Sequence, residues 1–553
     1  MENRLREGLE SGRFVVTAEA IPGRGACEES QEKLLEEAKR IIDTGRVDAI
    51  SITDNPGGNP ALLADQFAMD VAEYGLAPLV HMTCKDRNRN QYESQLYAMQ
   101  RKGIENLLIM SGDYPVSGWC GKAKASFDLD PVTMTMMTEE FNKGMPTPGR
   151  KPGTVDTLAN KGTFFPGCVV NPYKYTEGEL IPQFTKLKKK IFAGAKFIIA
   201  QVGYDSRALQ ALMFFLKEQN LNVPVIANIY VLTAGAGRFM NQGNIPGTIV
   251  TDEFLAVLNK EKEESADKGK EARLIRAAKM IAIAKGLGCA GVHIGGWGTN
   301  AENICWMLDK ADELQGQWQQ WASEISYGHR NGYYYYLEDG NTHLNSHEKR
   351  PRTENRYSDV KGNYGLSHAF HKMVFLPGKK FEPIVHNREI SLYKKKGLNR
   401  NHGLEHMGKV MLYHCIDCGD CGLPACAYTC PMSHCPKHQR NGPCGGSNDG
   451  WCEVFPGQMY CIWFKAYYRL KHYHEEGKLD DYINLPNDWR FWQTSGWQSY
   501  HLNQDNFAKR IWLPDAEPDF EATHGRVVDY SDPTIPRPHW EAAPAPEPAP
   551  EQK

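Results

Sequence analysis

Phe14-Val15-Val16-Thr17-Ala18-Glu19 and Ala49-Ile50-Ser51-Ile52-Thr53 are short, β-branched runs. Between them Leu34, Leu35, Ala38, Ile41 and Ile42 recur at helical spacing ahead of Gly45. An apolar stripe on one helical face, closed by a glycine able to cap it, makes this a strand–helix–strand unit. The unit repeats. Further strands are predicted at Leu79–Thr83, Asn106–Met110, Thr163–Val170, Phe197–Gln201, Val223–Ile229 and Gly291–Ile294. Helices are predicted over Gln91–Gln100, Gln183–Phe192, Ser206–Glu218 and Ala272–Lys285. Eight strands with helical crossovers fit an α/β fold of the (β/α)8 TIM-barrel type better than a doubly wound sheet. The stretch from Gly112 to Gly162 shows the least pattern.

Outward from this repeat, the 553 residues suit two domains with connecting structure. The barrel is placed at 1–305. Residues 306–404, which include Tyr333-Tyr334-Tyr335-Tyr336, show no period and read as an ordered connector or extension. A cysteine-rich, metal-binding module follows at 405–475. A C-terminal extension at 476–553 ends in the Pro-rich stretch Ala542–Pro550, which cannot pack a core and is expected to be disordered.

Apolar residues make up 41% of the chain, enough for large cores, and the formal net charge is −3. That balance argues against a dominant nucleic-acid surface, which needs clustered positive charge. Met1–Glu7 has no apolar signal region, and no uncharged apolar run approaches the roughly 18 residues that span a bilayer. The expectation is a cytoplasmic protein without a membrane span, acting as a homo-oligomer or within a larger complex.

Barrel enzymes carry their chemistry where strands end, around one mouth. Glu19 ends the first strand, Thr53 the second, and His81 lies near the end of the third. Asp113 follows the fourth in Ser111-Gly112-Asp113, Asn171 follows the fifth, and Gln201 ends the sixth. Singly, most such residues are ordinary turn or cap residues. Glu19 is different: it interrupts an apolar run, where an unpaired carboxylate is costly, so a proton-transfer role suits it better.

At these positions the chain resembles the catalytic domain of methylenetetrahydrofolate reductase, over about residues 10–305. The resemblance is carried by Val16-Thr17-Ala18-Glu19, Ser51-Ile52-Thr53, His81–Asp86, Ser111-Gly112-Asp113 and, most specifically, Lys188–Gln201. It implies a flavin that passes hydride to the methylene carbon of a tetrahydrofolate substrate, giving 5-methyltetrahydrofolate. It also implies Glu19 as general acid on the folate nitrogen, Asp113 as a catalytic and substrate-binding group near flavin and pterin, and Gln201 as a pterin ligand. Thr53, His81, Ser111, Gly112, Asp113, Asn171, Lys190 and Ala195 would then contact the flavin.

The chain departs from that pattern in three places. Ser111 stands where the family commonly has arginine, the strand-five tyrosine is replaced around Gly167, and His293–Asn300 lacks a substrate-side arginine. The first two changes make FMN an alternative to FAD. NAD(P)H, stacked directly on the flavin, is the family's usual reductant.

Nine of the fifteen cysteines lie between Cys415 and Cys461. In a reducing compartment such clustering reads as metal ligation. Cys415, Cys418, Cys421, Cys426 and Cys430-Pro431 have ferredoxin-like [4Fe–4S] spacing, and Cys435, Cys444 and Cys452 extend the ligand set. The same thiols, with His414, His434 and His438, could equally build zinc sites. The segment resembles the C-terminal module of some bacterial methylenetetrahydrofolate reductases and the partner subunit of acetogenic forms. That implies a structural metal clamp or a point where electrons arrive from ferredoxin or a redox partner subunit. Two readings compete with a reductase: a pterin-dependent methyltransferase, which needs no flavin, and a non-catalytic electron-transfer or assembly subunit.

Overall fold

The computed structural model describes residues 1–151, 154–329, 331–352, 362–514 and 516. The Pro-rich stretch Ala542–Pro550 lies outside the described residues. Eight parallel strands close into a barrel: β1 (Val15–Ala20), β2 (Ala49–Ile52), β3 (Leu79–Thr83), β4 (Asn106–Met110), β5 (Phe165–Val170), β6 (Phe197–Ala200), β7 (Val225–Val231) and β8 (Gly291–Gly296). Each pairs with its sequence neighbours, and β8 closes on β1 with Thr17 opposite His293. All eight predicted strands form, with ends shifted by one or two residues.

Alternation along each strand sorts side chains to two faces. Val16, Ala18, Ile50, Ile52, Val80, Met82, Leu107 and Ile109 face outward into the apolar shell beneath the helices. Val15, Ala49, Leu79, Leu108, Phe165, Phe197 and Ile226 fill the lower lumen, where helix Arg4–Ser11 adds Leu5 and Leu9 as a plug. One step up the lumen is polar: Thr17, Ser51, His81, Asn228 and His293. The barrel is thus dry at its base and polar towards the strand ends.

The least patterned stretch holds helix Pro131–Lys143 and a small hairpin of Pro146–Pro148 with Val155–Thr157. Asp130 caps that helix through Val132 N and Thr133 N, with Pro131 in the first turn. Nine of its thirteen residues are buried. It lies between the barrel and Ile483, Leu485, Ile511 and Leu513 of the C-terminal region, so it shows no one-sided stripe. Helix Ala301–Leu314 runs across the expected boundary at 305. It packs on helices Lys270–Gly286 and Glu29–Asp43 and completes the outer ring. The tyrosine run is core rather than surface: Tyr334 and Tyr175 donate to the buried Asp205 Oδ2 at 2.7 and 2.9 Å.

Beyond 350 the chain forms helices Tyr364–Val374, Glu382–Lys396, Gly403–Tyr413, Ile462–His472 and Gly496–His501 around the cysteine-bearing loops. Helix Ile462–His472 packs directly on barrel helix Glu177–Phe192. Tyr467 Oη and Lys471 Nζ donate to the buried Glu177 at 2.5 and 2.6 Å, and Gly178 N donates to Tyr468 Oη at 3.2 Å. Among the described residues no helix is long and apolar enough to cross a membrane.

Gly178 allows this approach, because a Cβ there would overlap the Tyr468 ring. Gly178→Val should therefore cost about 2–3 kcal/mol by overpacking. The check is the urea midpoint, which should fall with no change in slope.

Candidate functional site

The upper lumen brings together most of the residues named from sequence. On strands otherwise buried, the partly exposed positions include Glu19, Met110, Val169 and Tyr230, all of lumen parity near the strand ends. They mark an opening at the mouth. Glu19 projects beside β8, where Gly295 makes room for it: a Cβ at that position would stand 2.6 Å from Glu19 Oε2. Loss of solvent pushes the Glu19 carboxyl up to about 7, and the Gly296 N–H offsets this only in part. At neutral pH the group therefore holds its proton about half the time.

Below it, Ser51 Oγ shares a hydrogen bond with His81 Nε2 at 2.8 Å, and Thr17 Oγ1 shares one with His293 Nδ1 at 2.9 Å. Burial lowers His81 to about 3, helped by the charge of His293, and burial alone lowers His293 to about 4. Both imidazoles are neutral hydrogen-bonding groups. Asn228 Oδ1, in the same layer, is buried without a partner.

Beside the mouth, Asp54 accepts from Thr83 N and Oγ1 and from Arg87, and Lys85 Nζ donates to the Asp54 carbonyl. Burial alone would raise Asp54, but the charges of Arg87 and Lys85 and these hydrogen bonds overcome it and hold it at about 2. This anchored pair fixes the β2 and β3 ends that carry Thr53 and His81. Asp113 accepts from Gly57 N at 2.7 Å, so its carboxylate is tied to the loop after β2. Gln201 follows β6 at the rim, its backbone N donating to Val170 O.

The C-terminal module closes one side of this mouth. Ser111 Oγ donates to Gln439 Oε1 at 3.1 Å, Lys437 Nζ donates to Gly112 O at 2.6 Å, and Asn171 Nδ2 donates to Gly445 O at 3.0 Å. Lys186 Nζ reaches Gln439 Oε1 and Gly442 O, and Lys174 bonds Ser447 O. Three expected flavin contacts, Ser111, Gly112 and Asn171, thus meet the C-terminal module. Of two others, Lys190 donates its ammonium to Val169 O at 2.6 Å, near the end of β5, and Ala195 is buried among the apolar residues around the barrel. Sequence reading passed over His293, Asn228, Asp54 and the module residues Lys437 and Gln439. Only His293 sat in a quoted motif; the others are joined through pairings distant in the chain.

The cysteines fall into two neighbourhoods. The thiols of Cys415, Cys418 and Cys421, already raised by burial, are raised further by one another or by Cys430. Cys435, Cys444 and Cys461 likewise feel charges within a second set that includes Cys452. Cys461 belongs to this set; Cys426, buried against Phe464 and Tyr467, stands between the two sets and is raised by both Cys430 and Cys435. Every thiol of the second set faces backbone N–H donors. These come from Lys437 and Gln439 to Cys435, Gly446 to Cys444, Val454 and Phe455 to Cys452, and Trp463 and Phe464 to Cys461. Amides aimed at sulfur stabilise thiolate, the form that binds metal. Among the described residues no three of these sulfurs converge within 4.8 Å.

Residues 4–298 match the family model described as methylenetetrahydrofolate reductase, and residues 396–490 match one described as methylene-tetrahydrofolate reductase C terminal. Methylenetetrahydrofolate reductase (NADH) 1 of Arabidopsis thaliana is 23% identical over 270 residues, covering 47% of this chain and 42% of the relative. The Zea mays protein of the same description is 24% identical over 273 residues, covering 47% and 43%. The chain thus spans well under half the length of the curated relatives it matches. A solved structure of an uncharacterized Clostridium thermocellum protein that binds two copies of 5-methyl-5,6,7,8-tetrahydrofolic acid aligns at 13% identity and TM-score 0.38. It covers 56% of this chain and 99% of its own, a likeness too loose to carry an argument.

The carboxyl of Glu19 sets a stability signature. In the unfolded chain it titrates near 4.5 and in the fold near 7, so between those values the native state keeps a proton that the unfolded state has lost. Stability therefore falls as pH rises through this window and levels off above about 7. Relative to the parent, Glu19→Gln should gain roughly 3 kcal/mol between pH 4.5 and 8. Paired denaturant titrations at the two pH values measure this.

Proposed function

We propose that this chain, which belongs to the methylenetetrahydrofolate reductase family, interconverts 5,10-methylenetetrahydrofolate and 5-methyltetrahydrofolate with the aid of a flavin in the upper lumen. The observation that carries the reading is Glu19: a carboxyl at the mouth, poised near neutrality, with no basic side chain bonded to it. A general acid works best when its pKa lies near the working pH.

The lumen suits a flavin and a pterin. Asn228 Oδ1 lacks a donor, and both ring systems carry N–H groups. Neutral His81, Thr53, Asn171, the Ser111-Gly112 backbone and Asp113 offer further partners around the same opening. A bound flavin supplies the hydride. Glu19 donates its proton to the folate nitrogen that leaves the methylene carbon as the imidazolidine ring opens, and Asp113 and Gln201 orient the pterin. The hydrogen bond from Gly57 N holds the Asp113 carboxylate against the loop that follows β2. Residues 437–447 crowd the Ser111 and Asn171 side, which favours FMN over the longer FAD.

The two cysteine sets support metal binding by Cys415, Cys418, Cys421 and Cys430 and by Cys435, Cys444, Cys452 and Cys461. The Cys-x2-Cys-x2-Cys spacing, followed by Cys430-Pro431, favours an iron–sulfur cluster in the first set. The second set flanks Lys437 and Gln439, which touch the rim, so electrons from a ferredoxin or redox partner subunit would arrive beside the flavin. If these thiols hold zinc instead, NAD(P)H is the reductant and the module is a clamp.

Glu19→Gln should lower the rate of methylenetetrahydrofolate reduction by about 10²–10⁴-fold while flavin content stays at the parent value. For the parent, reduction should slow as pH rises through about 7, as Glu19 loses its proton. A variant that keeps parent activity, or a protein purified without flavin, refutes the assignment. Metal analysis after anaerobic purification decides the module: about four iron atoms per filled set, with Cys461→Ser emptying the second set, supports the relay.

A further inference from the structure

Outside the barrel and the cysteine sets, helix Gly403–Tyr413 opens on two histidines one turn apart, His402 and His406. His406 N donates to His402 O at 2.9 Å, so the helical turn holds both imidazoles on one side. Both face Asp417. His402 Nε2 stands 2.8 Å from Asp417 Oδ1, and His406 Nδ1 stands 3.6 Å from the same oxygen. One ligand atom from each residue fits within 4.8 Å of the others.

A simple His–Asp hydrogen bond explains only part of this. It accounts for one imidazole, whereas His406 Nδ1 is shut off from water and makes no hydrogen bond. The His402 side chain is only 7% exposed, and its Nδ1 is also buried without a partner. A desolvated ring nitrogen left 3.6 Å from a carboxylate oxygen with no hydrogen bond, as at His406 Nδ1, is uncommon unless something else takes its lone pair.

Asp417 is also held in place for this role. It sits in the left-handed region at φ 60°, which an aspartate visits more readily than most residues. Its backbone N donates to Cys415 Sγ at 3.3 Å, and its carbonyl accepts from Gln493 N at 2.9 Å. With both backbone groups bonded, the side chain is aimed back at the helix.

We propose that His402, His406 and Asp417 form a binding site for one zinc-class divalent cation, distinct from the thiolate sites. Two imidazoles and a carboxylate are a donor set for such an ion, and an i, i+4 histidine pair is a compact way to present two of them. Around bonds of 2.0–2.1 Å the three donors would stand about 3.3 Å apart, between the two spacings seen. His402 is the buried anchor. The His406 side chain is 39% exposed, its outer ring edge towards solvent and its Nδ1 turned inward to Asp417. The ion would pin the start of this helix to the loop between Cys415 and Cys418, joining it to the first thiolate set.

The test uses the full chain, tag-free, purified anaerobically with its thiolate sites filled. Zn²⁺ is titrated in and the metal counted after dialysis; Co²⁺ is then used as the coloured probe. The parent should bind one Zn²⁺ beyond the thiolate-bound metal, and Co²⁺ there should show tetrahedral d–d bands without sulfur charge-transfer absorption. His406→Ala, at a half-exposed position, should weaken that one site at least about 100-fold and leave the iron or thiolate-bound metal unchanged. His402→Gln should do the same. Equal Zn²⁺ affinity in parent and His406→Ala overturns the proposal. So does a Co²⁺ spectrum dominated by sulfur charge transfer, or loss of thiolate-bound metal in step with the extra ion. This outcome is independent of flavin content and of activity, so it can fail while the reductase reading stands.

Discussion

One carboxylate ties the two halves of this molecule together. Asp130 Oδ1 accepts from Val132 N and Thr133 N and starts helix Pro131–Lys143, while its Oδ2 accepts from Asn441 N and Nδ2 at 2.9 and 3.0 Å. Asn441 is fully buried and also bonds Asn484 in both directions. Every polar atom sealed there needs its partner, because an orphan would cost about 1–3 kcal/mol. Segment 437–447 is thereby held in a single register on the barrel. That register brings Gln439 to Ser111, Lys437 to Gly112 and Gly445 to Asn171. The shape of the mouth and the position of the second cysteine set both follow from it.

Within the barrel, polarity is graded along the axis. An apolar floor sealed by Leu5 and Leu9 lies under a layer of neutral imidazoles and hydroxyls, and the acid stands at the top. Two carboxylates a few residues past their strand starts are tuned in opposite senses. Asp54 is surrounded by Arg87, Lys85 and Thr83 and stays ionised; Glu19 has two glycines beside it and is pushed up to about 7. The first secures the scaffold, while the second is a local weakness that the scaffold tolerates. Such a division is the usual mark of a site built for proton transfer rather than for stability.

How far the sequence could be read depended on whether neighbours in space were neighbours in the chain. The strands were legible as short β-branched runs buried on both faces, and helices such as Ser206–Glu218 because their solvent side leaves a period. Helix Pro131–Lys143 was not, since it is covered on nearly every face. Glu19 was legible because a carboxylate inside an apolar run is anomalous by itself. Of the lysines of helix Glu177–Phe192 the resemblance gave a role only to Lys190, yet Lys186, Lys188, Lys189 and Lys190 are all buried. Nothing local announces that residues some 250 positions later will cover Lys186. The thiol spacing marked a cysteine-rich module, but its division into two neighbourhoods needed the fold.

Those covered lysines bear on how the molecule is made. Ribosomal synthesis completes the barrel well before segment 437–447 emerges, and during that interval the docking face is bare. Had it been lined with leucine and phenylalanine, the nascent half would present a sticky surface to every other unfinished chain. Lys174, Lys186, Lys188 and Lys189 instead stay hydrated until their partners at Ser447, Gln439, Asp480 and Tyr482 arrive. Adding ammonium–carbonyl bonds to the apolar contacts at Ile483 and Leu485 keeps part of that face hydrated while the first half of the polypeptide waits for the second.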